Sequence, residues 1–379
     1  MKQPSTSSLH FWVPNLFEFK GGIQVYLTDI LSAIESQVPS VSVTVIDKLD
    51  QHRPVDQFLS SHFSFRFSGS VPGPLKTLHF IGQIMWALLV QRPRLILCGH
   101  LNFAPVVLWV HQLLGIPYWL LVYGIDAWNV ADPNKIKALR QAERIVSISG
   151  YTRDRLMQEQ QLSANQISIL PVTFDARRFA LGLKPDYLLQ RYQLQADQPI
   201  LLTVARLADS ERFKGYDQVL KALPQIRQTL PNVHYLIVGK GRDRPRIEQL
   251  IQDLGVQDCV TLTGFVPDEE LGDHYNLCNV FAMPSKREGF GIVYLEALAC
   301  GKPALGGNQD GAVDALCGGK LGALVDPDDI GAIAQTLTQM LQGHYPTPLM
   351  GQPEALRQAV IDTYGMESFQ RRLGELLRG

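Results

Sequence analysis

A chain of 379 residues, 46% hydrophobic and 19% charged, exceeds what one core usually serves and excludes a disordered polymer, so two globular domains are expected. The net charge of −1 excludes a field for holding nucleic acid, and the balance is uneven, with 16 Lys+Arg against 12 Asp+Glu in residues 1–183 and 19 against 24 in the rest. Cys98, Cys259, Cys278, Cys300 and Cys317 form no CxxC pair, and several lie in apolar runs, which reads as free buried thiols in a reducing compartment and no thiolate metal site.

The N-terminus lacks the basic region, apolar run and cleavage site of a signal peptide. Residues 9–14 (LHFWVP) predict a buried strand, and the loop NLFEFKGG leads into an amphipathic helix over 23–35. A strand over 41–46, a polar and aromatic stretch to about 75, and a helix over 75–90 follow. That helix, flanked by Lys76, Arg92 and Arg94, suits the surface of anionic lipid; a core helix is the competing and more ordinary reading. From Leu95 to Ile125 there is no Asp, Glu, Lys or Arg, a length that could span a bilayer. The run divides into strand, helix and strand around Pro105, Gly115 and Pro117, and buried parallel strands also read as continuous apolar runs, so it is assigned to the core of a sheet. Strands at 144–148 and 167–170 complete the first domain, 1–183.

Residues 176–198 are polar and read as the crossing between domains. Alternation restarts at 199–205, 233–239, 259–264, 280–284 and 303–307, with helices between, in a second domain over 184–355. The tail, 356–379, is helical. Strand and helix in alternation predict an α/β protein of two Rossmann-like, doubly wound domains facing a central cleft, with ligands at the carboxyl ends of the strands.

The stretch PSKREGFGIVYLEALACGKP (284–303) concentrates the chemistry. Gly289 and Gly291 argue against a helix through Glu288. The expected layout is a loop holding Glu288, bare amides at Gly289, Phe290 and Gly291, and a helix from about Ile292 that carries Glu296. Such a site suits a polyhydroxyl ligand that also bears phosphate; a plain strand–turn–helix connection is the bland alternative. Arg206 and Lys214 flank a βα loop and suit a phosphate pair, or are solvated loop cations. Gly239 and Gly241 either bring backbone to a ligand or make a turn. The backbone around Val266, in GFVP, suits the edge of a base or an ordinary turn. In the first domain Lys20-Gly21-Gly22 opens a helix after the first strand, where an anion or a simple turn fits. Tyr123 and Asp126 end one strand, His100 another, and Ser149 and Arg153 follow a third; Ser149 also reads as a helix cap.

With these residues in place, the chain resembles the retaining, nucleotide-sugar-dependent glycosyltransferases of the GT-B fold (group 1, or family 4, type). The resemblance covers almost the whole chain. It is strongest over 199–330 and is carried by the Glu288-x7-Glu296 pair, Arg206 with Lys214-Gly215, Gly239-x-Gly241 and Gly264-Phe265-Val266. It implies that Arg206 and Lys214 bind the donor diphosphate and neutralise the leaving group. It implies that Glu288 and the amides of Gly289, Phe290 and Gly291 hold the sugar, that Glu296 accepts the ribose hydroxyls and that backbone near Val266 reads the base. Gly21 and Gly22 would contact phosphate or sugar, and the C-terminal helix would cross back to the first domain. It further implies no metal and no cofactor, a nucleoside diphosphate sugar donor with UDP-glucose favoured, and a glycan or lipid-linked acceptor. A role in polysaccharide or glycoconjugate biosynthesis follows, in the cytoplasm with possible peripheral contact at the inner membrane face. Where the family often has His-Gly the chain has Tyr123-Gly124, which leaves His100 to share that role; retention through front-side displacement requires neither. The family's usual Gly-Gly after the 303 strand is Asn308-Gln309-Asp310-Gly311 here. A catalytically silent sugar-nucleotide-binding protein and a nucleotide-sugar epimerase of the same fold are the alternatives.

Overall fold

The computed structural model describes residues 8–18, 21–54, 58 and 60–378; Lys20 and the N-terminal segment through Ser7 lie outside them. The chain divides into two compact units, Met1–Val172 with Glu367–Gly379, and Thr173–Met366.

The first unit is built on β1 (Ser8–Val13), β2 (Ser42–Asp47), β3 (Phe63–Phe67), β4 (Leu95–Cys98), β5 (Tyr118–Val122), β6 (Arg144–Ser147) and β7 (Ile167–Ile169), all parallel, in the order β3-β2-β1-β4-β5-β6-β7. Runs such as Tyr-Trp-Leu-Leu-Val in β5 are buried throughout because helices cover both faces of a parallel sheet. The charge-free run from Leu95 to Ile125 is thus β4, helix Ala104–Leu114 and β5, and no helix among the described residues is long and apolar enough to cross a membrane.

The second unit carries β8 (Ile200–Val204), β9 (His234–Val238), β10 (Val260–Gly264), β11 (Val280–Met283), β12 (Ala304–Gly307) and β13 (Ala323–Val325), parallel and ordered β10-β9-β8-β11-β12-β13. In both sheets the order reverses beside the first strand, between β1 and β4 and between β8 and β11. A crevice opens at such a reversal, at the carboxyl ends of the strands.

Several elements differ from those read in the sequence. The stretch before 75 contains β3, an edge strand whose Phe63, Phe65 and Phe67 form an aromatic cluster with Phe17 and Phe58. The three-residue β13 was also missed. The polar stretch 176–198 is not simply a crossing: it contains helix Asp186–Tyr192, and Phe179 packs edge-on to Tyr275 in the second unit, so the junction lies at 172/173 instead of 183. The helical tail is two helices, Pro353–Tyr364 and Met366–Arg378, interrupted at the extended Gly365. The first belongs to the second unit, where the Arg357 guanidinium donates to the carbonyls of Ala176, Phe179 and Ala299. The second belongs to the first unit, where Phe369 packs edge-on to Tyr26.

Candidate functional site

The strongest assembly of polar groups lies at the carboxyl edge of the second sheet, at its point of reversal. The loop after β8 ends at Gly215, where a Cβ would stand 2.4 Å from the Pro284 carbonyl oxygen, and the Lys286 amide donates to the Phe213 carbonyl at 3.0 Å. This close approach of two loops sets Lys214 beside Glu288: Lys214 Nζ lies 2.5 Å from Glu288 Oε2, both side chains largely buried. Burial strengthens such a pair relative to a surface one, because water screens it less.

Glu288 is followed by the expected turn. Gly291 takes φ +94°, a conformation that favours glycine, and helix Ile292–Ala299 starts immediately after it. Gly289, Phe290 and Gly291 are buried, and their amides donate to no other described residue. Buried N–H groups normally find partners, so three together at a helix N-terminus form a nest for an anion or for hydroxyl oxygens. The Phe290 side chain does not join them; it is 1% exposed and packs edge-on to Tyr364, so only its backbone faces the site.

One turn into the helix, Glu296 accepts from the Tyr275 hydroxyl at 2.6 Å. Burial pushes its carboxyl up to about 7, with the Tyr275 bond opposing the rise. Neither Tyr275 nor Asp310 was singled out from the sequence for a role at the site. Asp310, fully buried after β12, accepts from Ser285 Oγ and the Glu288 amide, both at 2.7 Å, and from the Ala312 amide at 2.9 Å, while the Gly311 amide donates to the Glu288 carbonyl at 2.8 Å. It thereby holds the backbone that carries Glu288. Burial pushes the Asp310 carboxyl up to about 6 against these bonds.

Arg206 is placed less directly than its spacing suggested. It pairs with Glu211 and is otherwise exposed, and it shares no partner with Lys214 among the described residues. Gly239 and Gly241 have a packing reason to be glycine: a Cβ at either would stand 1.8 Å from the carbonyl oxygen of Ala205 or Leu207. The Gly239 amide is also used, donating to the Gly264 carbonyl at 2.9 Å. Val266 follows Gly264 on a partly exposed loop, beside Phe265, which is 64% exposed with Lys240 Nζ 4.7 Å from its ring centroid.

In the first unit, Gly21 caps helix Gly22–Gln37 without a side-chain bond, and nothing lies within 4 Å of a Cβ placed at Gly22. The preceding loop is held by Asp50, which accepts from the amides of Leu16, Phe17 and Glu18 at 2.6, 2.7 and 3.2 Å. His100 Nδ1 accepts from the Asn102 amide at 3.1 Å, and burial, aided by Lys135, lowers the imidazole's pKa. Tyr123 is not an available phenol: it is buried against Tyr26, and its hydroxyl donates to the Gly99 carbonyl at 2.8 Å. Asp126 accepts from the Tyr123 amide at 2.9 Å, and burial pushes its carboxyl up to about 7. Ser149 is the helix cap, accepting from the Thr152 amide at 3.1 Å, and Arg153 pairs with its neighbour Asp154.

Residues 188–358 match the family model for glycosyl transferases group 1. A GDP-mannose-dependent alpha-(1-6)-phosphatidylinositol monomannoside mannosyltransferase of Mycolicibacterium smegmatis is 35% identical over 248 residues, a match that spans 63% of this chain and 63% of that protein. Among solved structures, sucrose-phosphate synthase from Thermosynechococcus elongatus superposes with a TM-score of 0.78 over 98% of both chains at 22% identity. Anabaena HepE in complex with UDP does so with a TM-score of 0.76 over 98% of this chain and 99% of that one, at 17% identity. The architecture is therefore GT-B: two parallel-sheet, Rossmann-like units. The match to the group 1 glycosyl transferases lies within the second unit and takes in less than half of the chain, and the chain spans less than two thirds of the length of the mannosyltransferase it resembles.

Proposed function

We propose that the protein is a retaining hexosyltransferase that uses a nucleoside diphosphate sugar and needs neither metal nor cofactor. The observation that carries this reading is the Lys214–Glu288 pair beside three unengaged buried amides, with Glu296 one turn along the same helix. On donor binding the pair divides its labour: the Lys214 ammonium, joined by Arg206, turns to the diphosphate, and the Glu288 carboxylate turns to the sugar hydroxyls. Glu296 accepts the ribose hydroxyls. In front-side displacement the bond from the anomeric carbon to the diphosphate oxygen breaks, and the acceptor oxygen bonds to the same face. That leaving oxygen takes the acceptor proton, and the cations stabilise the charge developing on it. No protein nucleophile is required, which accords with Glu288 being held by Lys214 and Glu296 by Tyr275.

GDP-mannose is the proposed donor in preference to UDP-glucose, supported by the name of the mannosyltransferase that is 35% identical. Its name also supports a lipid-linked acceptor, and the free thiols agree with action in the cytoplasm. Titration calorimetry with GDP and with UDP tests the donor base: GDP binding at least about tenfold tighter supports it, a difference of about 1.4 kcal/mol. UDP binding without GDP binding returns the assignment to a UDP-sugar.

A further inference from the structure

Helix Gly73–Val90 buries Phe80, Ile84, Ala87 and Leu88 against the first sheet, yet its opposite side is also apolar. Leu75, Leu78, Gly82, Trp86 and Leu89 recur at spacings of three and four, so they form one stripe about 21 Å long on the outer face. The stripe is open, with Leu78 66% and Leu89 83% exposed. Helix Ala104–Leu114 packs into the same core, and Arg92 ties the two helix ends together by donating to the Leu114 carbonyl. It exposes Trp109 and Leu113. A soluble surface rarely leaves so many large apolar side chains together without a partner.

The charge around the stripe identifies the partner's chemistry. Between Asp56 and Asp126 the sequence has no Asp or Glu at all. Lys76 stands beside Leu75 at one end, Arg92 and Arg94 follow the other, and the Arg66 guanidinium lies 3.9 Å from the centroid of the Trp86 ring. Apolar side chains with tryptophan, with Lys76, Arg92, Arg94 and Arg66 beside them and no carboxylate in the same stretch of sequence, match the boundary between headgroups and acyl chains of an anionic bilayer. A second copy of the chain fits less well, because a two-fold contact would set cations against cations with no carboxylate on either helix to meet them.

We propose that the outer face of helix Gly73–Val90, with Trp109 and Leu113, docks the protein on an anionic membrane surface, the helices lying along the bilayer. This is independent of the transferase reading, since lipid binding is measured without donor. The full chain is sedimented with vesicles of phosphatidylcholine alone and of phosphatidylcholine with phosphatidylglycerol, at low and high salt. The native protein should pellet with the anionic vesicles, less so at high salt. A Leu78→Gln/Leu89→Gln variant, altered only at exposed positions, should keep the native circular dichroism and bind at least about tenfold more weakly. A native protein that stays in solution with anionic vesicles at low salt overturns the proposal. So does a folded variant that binds equally well, or a dimer that the variant dissolves while lipid binding is absent.

Discussion

Replacing Asp310 by alanine separates the placing of a loop from the stability of the fold. The side chain serves the Ser285 hydroxyl and the amides of Glu288 and Ala312. Ser285 retains the Tyr294 hydroxyl at 3.2 Å as a partner, so the two amides carry the loss. Two buried donors left unpaired cost about 2–6 kcal/mol. Against this, the native carboxylate is itself costly at neutral pH: burial raises it from 3.8 to about 6, worth about 3 kcal/mol that the alanine recovers. The terms nearly cancel, so chemical denaturation should show a change under about 3 kcal/mol. Turnover should respond more strongly, because the loop bearing Glu288 is no longer held and small misplacements cost up to about a hundredfold. Asp310→Asn, which keeps one acceptor oxygen, should fall between. The linkage has a definite sign: the folded state holds this proton more tightly than the unfolded chain, so Asp310 subtracts stability as pH rises from about 4 to about 6. Asp310→Ala should lack that decline. Turnover and KM unchanged in a folded Asp310→Ala protein would refute the positioning role.

Two further predictions come from displaced carboxyls. Burial raises the Glu296 carboxyl to about 7, and its proposed role in accepting ribose hydroxyls requires the carboxylate, so donor affinity should rise with pH through about 7. Glu296→Gln should remove that dependence, whereas an identical profile in the variant would take Glu296 out of the site. Asp47 is raised to about 9 by burial first and by neighbouring Asp50 second, so its contribution to stability declines as pH rises from about 4 to about 9. Asp47→Asn keeps an acceptor oxygen for the amides of Leu49 and Asp50. It should therefore melt at a higher temperature than the native protein at pH 8, and a lower melting temperature would contradict this account of the pair.

How much could be read in advance depended on whether the signal was local. Buried parallel strands such as β5 are uninterrupted apolar runs, and the turn after Glu288 is marked by two glycines, so both were legible. The strand β3 alternates Phe with Ser and Arg over only five residues at a sheet edge, and β13 has three residues, too few for a period to register. Asp310 was visible only as a departure from the family's Gly-Gly. Two of its partners, Glu288 and Ser285, lie 22 and 25 residues away and come within reach only because β11 and β12 are neighbours. Glycines were ambiguous because a ligand and a crossing chain both demand the absence of Cβ: at Gly239 and Gly241 the crossing chain accounts for it, whereas at Gly22 the space is open. At Tyr123 the end of a strand suggested a ligand, but the Gly99 carbonyl had already taken the hydroxyl.

The central claim is tested most directly by following transfer from GDP-mannose and UDP-glucose to a panel of glycan and lipid-linked acceptors, with the anomeric configuration of the product read by NMR, for the native chain and for Lys214→Ala. The account predicts an α-linked product from an α-configured donor without added metal. It also predicts a loss in Lys214→Ala of orders of magnitude in rate, about 2.7–4 kcal/mol of transition-state stabilisation. A β-linked product, an isomerised donor with no acceptor used, or a Lys214→Ala protein as fast as the native one would contradict it.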